Sequence, residues 1–288
     1  MKKGVITDIK RFAVHDGDGI RTTVFFKGCS LGCVWCHNPE NISFLPELEY
    51  HAGKCIGCGE CVSACTQNAH SMSGGVHTFS REACIACGRC ESTCLGEALK
   101  HRGREVTVDG LLPILLEDVD YYNSSGGGVT LSGGECLCQA DFCAELLKRL
   151  RAEGIHTAVD TCGFVPRAAF DKVEKYTDIF LYDIKAIDED VHVRCTGQSN
   201  GLILDNLIYI DSLGKNTEIR IPYVPGYNSD QMDKIRAFLG GLKNITAVKV
   251  LAYHNFAEYK YNALGMENTL PERLPTEEEV EAAQRIFG

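Results

Sequence analysis

The density of cysteine between residues 29 and 94 constrains this chain more than any other feature. Eleven of its 16 cysteines lie there, and residues 50–102 contain no long amphipathic segment. Because an apolar core alone cannot hold such a stretch, we expect it to fold around bound metal. No apolar run follows the basic start of the chain, so we expect no signal peptide and a cytosolic location. Disulfides are rare in that compartment, and clustered cysteines there usually bind metal or carry out redox chemistry.

Three of these cysteines follow a predicted strand at residues 22–26. Cys29, Cys33 and Cys36 have the spacing C-x3-C-x2-C. Three thiolates can bind one face of a four-iron cluster and leave its fourth iron without a protein ligand. A metal with an open coordination position is typical of a catalytic site. The alternative from spacing alone is a zinc site with His37 as the fourth ligand.

The other eight cysteines of the stretch form two copies of C-x2-C-x2-C-x3-C. In bacterial ferredoxins with this spacing, the fourth cysteine of each copy binds the other cluster. The sequence therefore predicts one four-iron cluster on Cys55, Cys58, Cys61 and Cys94, and a second on Cys84, Cys87, Cys90 and Cys65. A pair of zinc ribbons is the alternative. Clusters at these positions either support the fold or relay electrons, and we favour the relay.

Short apolar strands alternate with helical patterns beyond residue 102. The strands are predicted at residues 129–132, 156–160, 179–183, 218–223 and 247–253, and the helices at 108–122, 139–154, 166–176, 201–213 and 229–241. Such alternation predicts right-handed crossovers and a parallel sheet. With residues 22–26 the strands number six, which suits an incomplete (β/α) barrel or an open doubly wound sheet. A terminal helix is predicted at residues 275–287, with Thr276 as its N-cap.

Polar residues follow several of these strands, where α/β sites are usually built. Gly133 and Gly134 would let a ligand approach the backbone, and Glu135 supplies an acceptor, although a tight turn explains the glycines equally well. Asp183 and Lys185 share one face of their strand. Their alternative role is a structural ion pair. Arg220 is suited to hold a carboxylate through its bidentate guanidinium.

The three-cysteine loop, with Trp35 at its aromatic position, resembles the signature of the radical S-adenosylmethionine (SAM) enzymes. Four further segments are similar to the activases of glycyl radical enzymes: residues 15–22 (HDGDGIRT), 36–40 (CHNPE), 125–135 (SGGGVTLSGGE) and 160–164 (DTCGF). The resemblance runs nearly end to end. Asp18 departs from it, since the family usually has proline there, in the loop that meets the partner protein. Cys136 also departs, since proline or an apolar residue is common at that position.

This resemblance implies a fold and a reaction. The fold is an incomplete (β/α)6 TIM-like barrel, residues 1–49 and 103–288, with a small α+β ferredoxin-like insertion at residues 50–102 that holds two [4Fe-4S] clusters. SAM binds the open iron of a third [4Fe-4S] cluster, and one electron cleaves it to methionine and a 5′-deoxyadenosyl radical. That radical abstracts a hydrogen atom from a glycine of a partner, a glycyl radical enzyme. We expect a monomer that receives its electrons from a donor such as flavodoxin or ferredoxin.

The resemblance also assigns residues. Those expected at SAM are Trp35, Cys36, His37, Gly133, Gly134, Glu135, Asp183, Ile184, Lys185, Arg220 and His254. Asp183 and Lys185 join the three loop cysteines as catalytic residues. Asp160 is expected at a monovalent cation near SAM, and Asp16 at the partner protein.

Composition excludes some classes and leaves others open. A net charge of −10 argues against a non-specific nucleic-acid binder, and no apolar run is long enough to cross a bilayer. The remaining cysteines are interpreted as small buried hydrophobes: Cys136, Cys138, Cys143, Cys162 and Cys195. Two of them, Cys136 and Cys162, neighbour the expected site. Two alternatives to the activase stay open. One is a radical SAM enzyme that acts on a small molecule or peptide, and the other is a non-catalytic iron–sulfur electron carrier.

Overall fold

The computed structural model describes residues 2–288 and contains a main sheet of eight strands with two smaller sheets. The strands are β1 (Lys3–Ala13), β2 (Arg21–Phe26), β3 (Glu47–Tyr50), β4 (His70–Ser73), β5 (Val76–Phe79), β6 (Leu99–Arg102), β7 (Arg104–Thr107), β8 (Gly128–Gly133), β9 (His156–Thr161), β10 (Ile179–Asp183), β11 (Thr217–Tyr223) and β12 (Ile245–Ala252). The helices are α1 (Glu60–Ala64), α2 (Arg89–Thr93), α3 (Val108–Leu116), α4 (Val119–Ser125), α5 (Ala140–Ala152), α6 (Arg167–Val173), α7 (Glu189–Thr196), α8 (Gly201–Ser212), α9 (Met232–Leu239), α10 (Glu258–Leu264) and α11 (Glu277–Arg285).

Six parallel strands form the larger part of the main sheet. Strand β2 pairs with β8, and each later strand of the set pairs with the next along the chain, up to β12. A doubly wound sheet reverses its strand order at one point, whereas a barrel winds in one direction. The order here has no reversal. The incomplete (β/α)6 barrel is therefore confirmed, and the open doubly wound sheet is excluded.

Two antiparallel strands that the sequence did not predict extend the sheet beyond β2. Strand β1 pairs with β2, and β7 pairs with β1 at the edge. The predicted helix at residues 108–122 is also wrong in its extent, because two helices, α3 and α4, occupy this region. Between them, the Asp118 carboxylate accepts hydrogen bonds from Arg11 and from Thr22. Helix α7 was not predicted.

The core lies between the parallel sheet and the helices that cover its outer face. Leu131 of β8, Leu146 and Leu147 of α5 and Phe180 of β10 have no exposed surface. The predicted terminal helix is α11, which is two residues shorter at each end. Its N-cap is confirmed: the Thr276 hydroxyl accepts from the Glu279 amide, and the Glu279 carboxylate accepts from the Thr276 amide. None of the helices described here has the length and apolar content needed to cross a membrane.

The cysteine-rich segment emerges from the barrel on a two-stranded ribbon. Strands β3 and β6 pair antiparallel, Glu47 with Arg102 and Tyr50 with Leu99. Between them lie α1, the β4–β5 hairpin and α2. The ribbon begins three residues before the predicted boundary at residue 50. We propose that the inserted domain includes it and spans residues 47–102.

Candidate active site

A cavity of about 540 Å³ opens at the carboxyl ends of the parallel strands. All six strands contribute to its wall, either directly or through the loop that follows them. Its lining includes most of the predicted site residues: Cys29, Cys33, Trp35, Cys36, His37, Gly133, Gly134, Asp160, Asp183, Lys185, Arg220 and His254. The structure thus brings together residues that lie up to 225 positions apart in the sequence.

The cysteine loop rests on the end of α7. The amides of Gly32 and Val34 donate to the carbonyls of Thr196 and Cys195, each at 2.9 Å. Burial raises the pKa of the Cys33 thiol to about 11 and that of Cys36 to about 12. Both thiols are therefore neutral unless a cation compensates their charge. Iron that binds the thiolates would supply that charge, so the loop fits a cluster.

Helix α10 holds the same loop, and no local sequence pattern predicts this contact. The Lys260 ammonium donates to the carbonyl of His37, to the Asn38 side chain and to Glu40, at 2.7–3.0 Å. The Tyr261 hydroxyl donates to the Cys36 carbonyl at 3.1 Å. The helix also contacts the inserted domain, where Arg81 donates to the carbonyls of Ala263 and Leu48. Helix α10 therefore joins the cysteine loop to the insertion.

Asp183 and Lys185 form an ion pair inside the cavity. The Lys185 ammonium lies 2.8 Å from the Asp183 carboxylate, and the lysine side chain is only 9% exposed. Burial lowers the pKa of Lys185, but the Asp183 carboxylate offsets this and holds that pKa well above its ordinary value. Ile184 differs from both neighbours: it is buried in the barrel core and does not line the cavity. A side-chain contact of Ile184 with SAM is therefore not supported.

Glu135 points away from the cavity, contrary to the predicted acceptor role. Its carboxylate accepts from the amides of Leu137 and Cys162 and from the Thr161 hydroxyl, at 2.8–3.0 Å. These bonds and complete burial leave it no contact with a ligand. The neighbouring Gly134 has a second role, since a Cβ there would lie 2.4 Å from the Gly28 carbonyl oxygen and 2.5 Å from that of Asn41. The glycine lets the cysteine loop approach β8.

Arg220 is already held by protein groups. Its guanidinium donates to the His15 carbonyl at 2.6 Å and to Glu218 at 3.2 Å, and it lies 3.7 Å from the Asp160 carboxylate. Burial raises the pKa of Asp160 to about 6.

Asp16, predicted at the partner interface, does not line the cavity, and its carboxylate accepts from Thr23 at 2.7 Å.

Two histidines stack at one side of the cavity. The rings of His37 and His254 lie 3.9 Å apart with an interplanar angle of 14°. Burial lowers the pKa of His37 to about 4, so the ring is neutral, and its Nε2 donates to the His254 carbonyl at 2.7 Å. The Nδ1 atom of His254 is buried without a hydrogen-bond partner. His254 is thus a residue of the cavity wall with an unsatisfied polar atom.

Two small cavities in the insertion bring together the predicted ferredoxin sets. One is lined by Cys55, Cys58, Cys61 and Cys94, and the other by Cys65, Cys84, Cys87 and Cys90. The fourth cysteine of each copy thus lies with the first three of the other copy. The copies also match locally, because the sulfurs of Cys65 and Cys94 accept from the amides of Ala69 and Ala98 at 3.3 and 3.2 Å.

The remaining cysteines are mostly packing residues, as predicted. Cys136, Cys143 and Cys195 are buried in the two barrel clusters, and Cys138 is half-buried. Cys162 does more than pack. It lines the cavity, and a hydrogen bond from its thiol lowers the pKa of the Cys29 thiol. Its place directly after β9 was the available sequence signal.

Comparison with known proteins gives consistent matches. The model of the radical SAM superfamily matches residues 65–239, and that of a 4Fe-4S binding domain matches residues 48–69. The chain is 42% identical to the trans-4-hydroxy-L-proline dehydratase activating enzyme of Clostridioides difficile, over 98% of this chain and 95% of that protein. It is 40% identical to the choline trimethylamine-lyase activating enzyme of Oleidesulfovibrio alaskensis, over 92% and 88%. Identity is 39% to the (2S)-3-sulfopropanediol sulfolyase activating enzyme of Bilophila wadsworthia, over 91% and 89%.

Proposed function

Because this chain belongs to the radical SAM superfamily and, within it, to the activating enzymes of glycyl radical enzymes, we propose that it places a radical on a glycine of such a partner. The observation that carries the proposal is the three-thiolate loop at the wall of the strand-end cavity. When bound at Cys29, Cys33 and Cys36, an iron–sulfur cluster with an open iron supplies the electron that cleaves SAM.

The cavity offers groups for each part of SAM. Its cations, Lys185 and Arg220, suit the methionyl carboxylate, and its anions, Asp183 and Asp160, suit the amino and sulfonium groups. The apolar end of β12 suits the adenine. The His254 ring stacks on His37 and on Phe256, so it supports this wall of the cavity.

We further propose a set of three [4Fe-4S] clusters, with a monovalent cation beside Asp160. The two clusters of the insertion relay electrons from a donor such as flavodoxin or ferredoxin to the cysteine loop. Helix α10 supports this relay because it contacts both modules. Its Tyr261 donates to the Cys36 carbonyl, and its Ala263 carbonyl accepts from Arg81 of the insertion. We propose that the chain acts as a monomer and that Asp16 lies at the partner interface.

The test uses anaerobically reconstituted protein. We expect about twelve irons per chain from three four-iron clusters, and conversion of SAM to 5′-deoxyadenosine and methionine under strong reduction. Candidate partners are glycyl radical enzymes of the kinds named for the relatives, such as a trans-4-hydroxy-L-proline dehydratase or a choline trimethylamine-lyase. Incubation with the correct partner should give a glycyl radical signal on that protein. A chain that never cleaves SAM would be an electron carrier, and one that consumes a metabolite without a partner would be a different radical SAM enzyme.

The crossed pairing of the ferredoxin cysteines predicts how iron is lost in double variants. Cys94→Ala should lose about four of about twelve irons, because it removes one ligand of one cluster. Adding Cys55→Ala should cost no further iron, since both residues serve the same cluster. Adding Cys84→Ala instead should bring the loss to about eight irons. Iron analysis that gives the opposite pattern would assign Cys94 to its own copy and contradict the pairing.

A further inference from the structure

The β4–β5 hairpin lies between the two cavities of the insertion. It connects the first cysteine copy to the second, and its cross-strand pairs include His70 with Phe79 and Met72 with His77. His77 lines the cavity of Cys55, Cys58, Cys61 and Cys94, hereafter the first cavity. His70 lines the other, second cavity. One hairpin face therefore presents an imidazole to each cluster position.

The two imidazoles contact each other. His70 Nδ1 lies 3.0 Å from His77 Nε2, and His70 is only 3% exposed. Ligand atoms of both histidines lie within 4.8 Å of the Cys61 sulfur and of each other. Aromatic rings fix the pair from both sides, because Phe79 stacks on His70 at 4.9 Å and Tyr50 meets the His77 ring edge-on at 4.7 Å.

The hydrogen bond between the rings determines what His77 can do with its other nitrogen. A contact between two imidazole nitrogens needs one donor and one acceptor. If His70 Nδ1 donates, the hydrogen of His77 lies on Nδ1, which is buried and has no hydrogen-bond partner among residues 2–288. A buried N–H without an acceptor costs about 1–3 kcal/mol. In the opposite arrangement, Nδ1 would carry a bare lone pair on a side chain that lines a cavity of cysteines. The first arrangement fits, provided that an anionic sulfur lies in the cavity.

We propose that His77 donates a hydrogen bond to the iron–sulfur cluster of the first cavity and that His70 is the positioning residue that holds its ring. This inference rests on the clusters assigned under the proposed function. A hydrogen bond to cluster sulfur favours the reduced, more negative form, so it raises the reduction potential. The pair thereby gives the two chemically identical cysteine sets different potentials, which sets the direction of electron flow between them.

The test compares two substitutions of His77 in the full-length, reconstituted protein. His77→Leu fills the space and removes the donor, whereas His77→Asn retains an N–H on an atom bonded to Cγ, as Nδ1 is. Each is titrated anaerobically by spectroscopy at controlled potential, and its iron is counted. For His77→Leu we expect full iron and one cluster whose reduced-to-oxidised ratio at a fixed potential falls about tenfold, which is about 59 mV for one electron. His77→Asn should recover most of that shift.

The controls separate hydrogen bonding from packing. Phe79→Leu loosens the stacking on His70 but keeps both imidazoles, and it should move the potential less than His77→Leu does. An unchanged potential in fully loaded His77→Leu protein would overturn the proposal. Loss of a single bound metal ion from His77→Leu would also overturn it, because Cys61, His70 and His77 would then hold a mononuclear site. Should His77→Leu not fold, His77→Met takes its place, because it also fills the space without an N–H and should lower the potential in the same way. SAM cleavage by the wild-type protein reports separately on the proposed function.

Discussion

Replacing Cys36 with alanine is expected to abolish SAM cleavage and to lower bound iron from about twelve to about eight atoms per chain. Cys36 is one of only three thiols that the loop offers. Among the other cysteines of the described residues, only Cys162 lines the same cavity, and its thiol is hydrogen-bonded to Cys29. The rest of the loop should keep its place. The Tyr261 hydroxyl binds the Cys36 carbonyl rather than its thiol, and Lys260 binds the next carbonyl.

Cys195→Ala is the matched control for this experiment. Cys195 is fully buried, and its carbonyl accepts from the Val34 amide, so it supports the same loop without lining the cavity. We expect Cys195→Ala to keep all three clusters and SAM cleavage, with only a modest loss of stability. Iron analysis and 5′-deoxyadenosine formation are the two readouts. Cys36→Ala protein that retains about twelve irons and cleaves SAM would contradict the assignment of the active cluster.

The parallel strands were predictable because each is a short apolar run that stands out locally. Strand β9 is an example, with Ala158 and Val159 completely buried. The barrel order was not predictable from periodicity, because strand neighbours are set by long-range packing. Strand β1 was missed for a related reason. Its outer half carries the charged residues Asp8, Lys10 and Arg11, which are exposed or half-exposed and interrupt the apolar alternation.

The site was predictable where its residues form motifs with a characteristic local spacing. The three cysteine groups and the Asp183–Lys185 pair all lie where the motifs placed them. The direction of a side chain in a turn was not predictable, so the burial of the Glu135 carboxylate was not expected. Lys260 and Tyr261 contact residues more than 220 positions away, and no local pattern reveals such a contact. These misses share one cause, which is that tertiary contacts decide them.

We expect Asp183→Asn to lower the free energy of unfolding more than Lys185→Met does. In Asp183→Asn the Lys185 ammonium stays buried without its main counter-charge. The expected loss is about 3 kcal/mol, at the lower end for buried pairs because the Asp183 side chain is 28% exposed. Lys185→Met should instead weaken SAM binding by about 10- to 100-fold, since a hydrogen bond to a charged group contributes about 1.5–3 kcal/mol.

The pH dependence of stability shows whether Asp183→Asn acts by leaving a buried ammonium without its counter-charge. In the wild-type protein, Asp183 holds the pKa of Lys185 above its unfolded value. In Asp183→Asn the carboxylate that offset burial is gone, so burial lowers that pKa. The unfolded chain then binds more protons between the lowered pKa and about 10.4, so the free energy of unfolding should rise with pH in that window. Anaerobic denaturant titrations at pH 7 and 9 measure this, and Lys185→Met should lack the dependence.

The double variant Asp183→Asn/Lys185→Met decides whether the pair serves SAM or only the fold. Removing both charges leaves no uncompensated ammonium, so we expect it to be more stable than Asp183→Asn alone. A purely structural ion pair would then restore SAM binding together with stability. Because both side chains line the cavity, we expect the stability to recover while SAM affinity stays at or below that of Lys185→Met. Equilibrium binding of SAM to the reconstituted double variant is the deciding measurement, and wild-type affinity there would assign the pair to the fold alone.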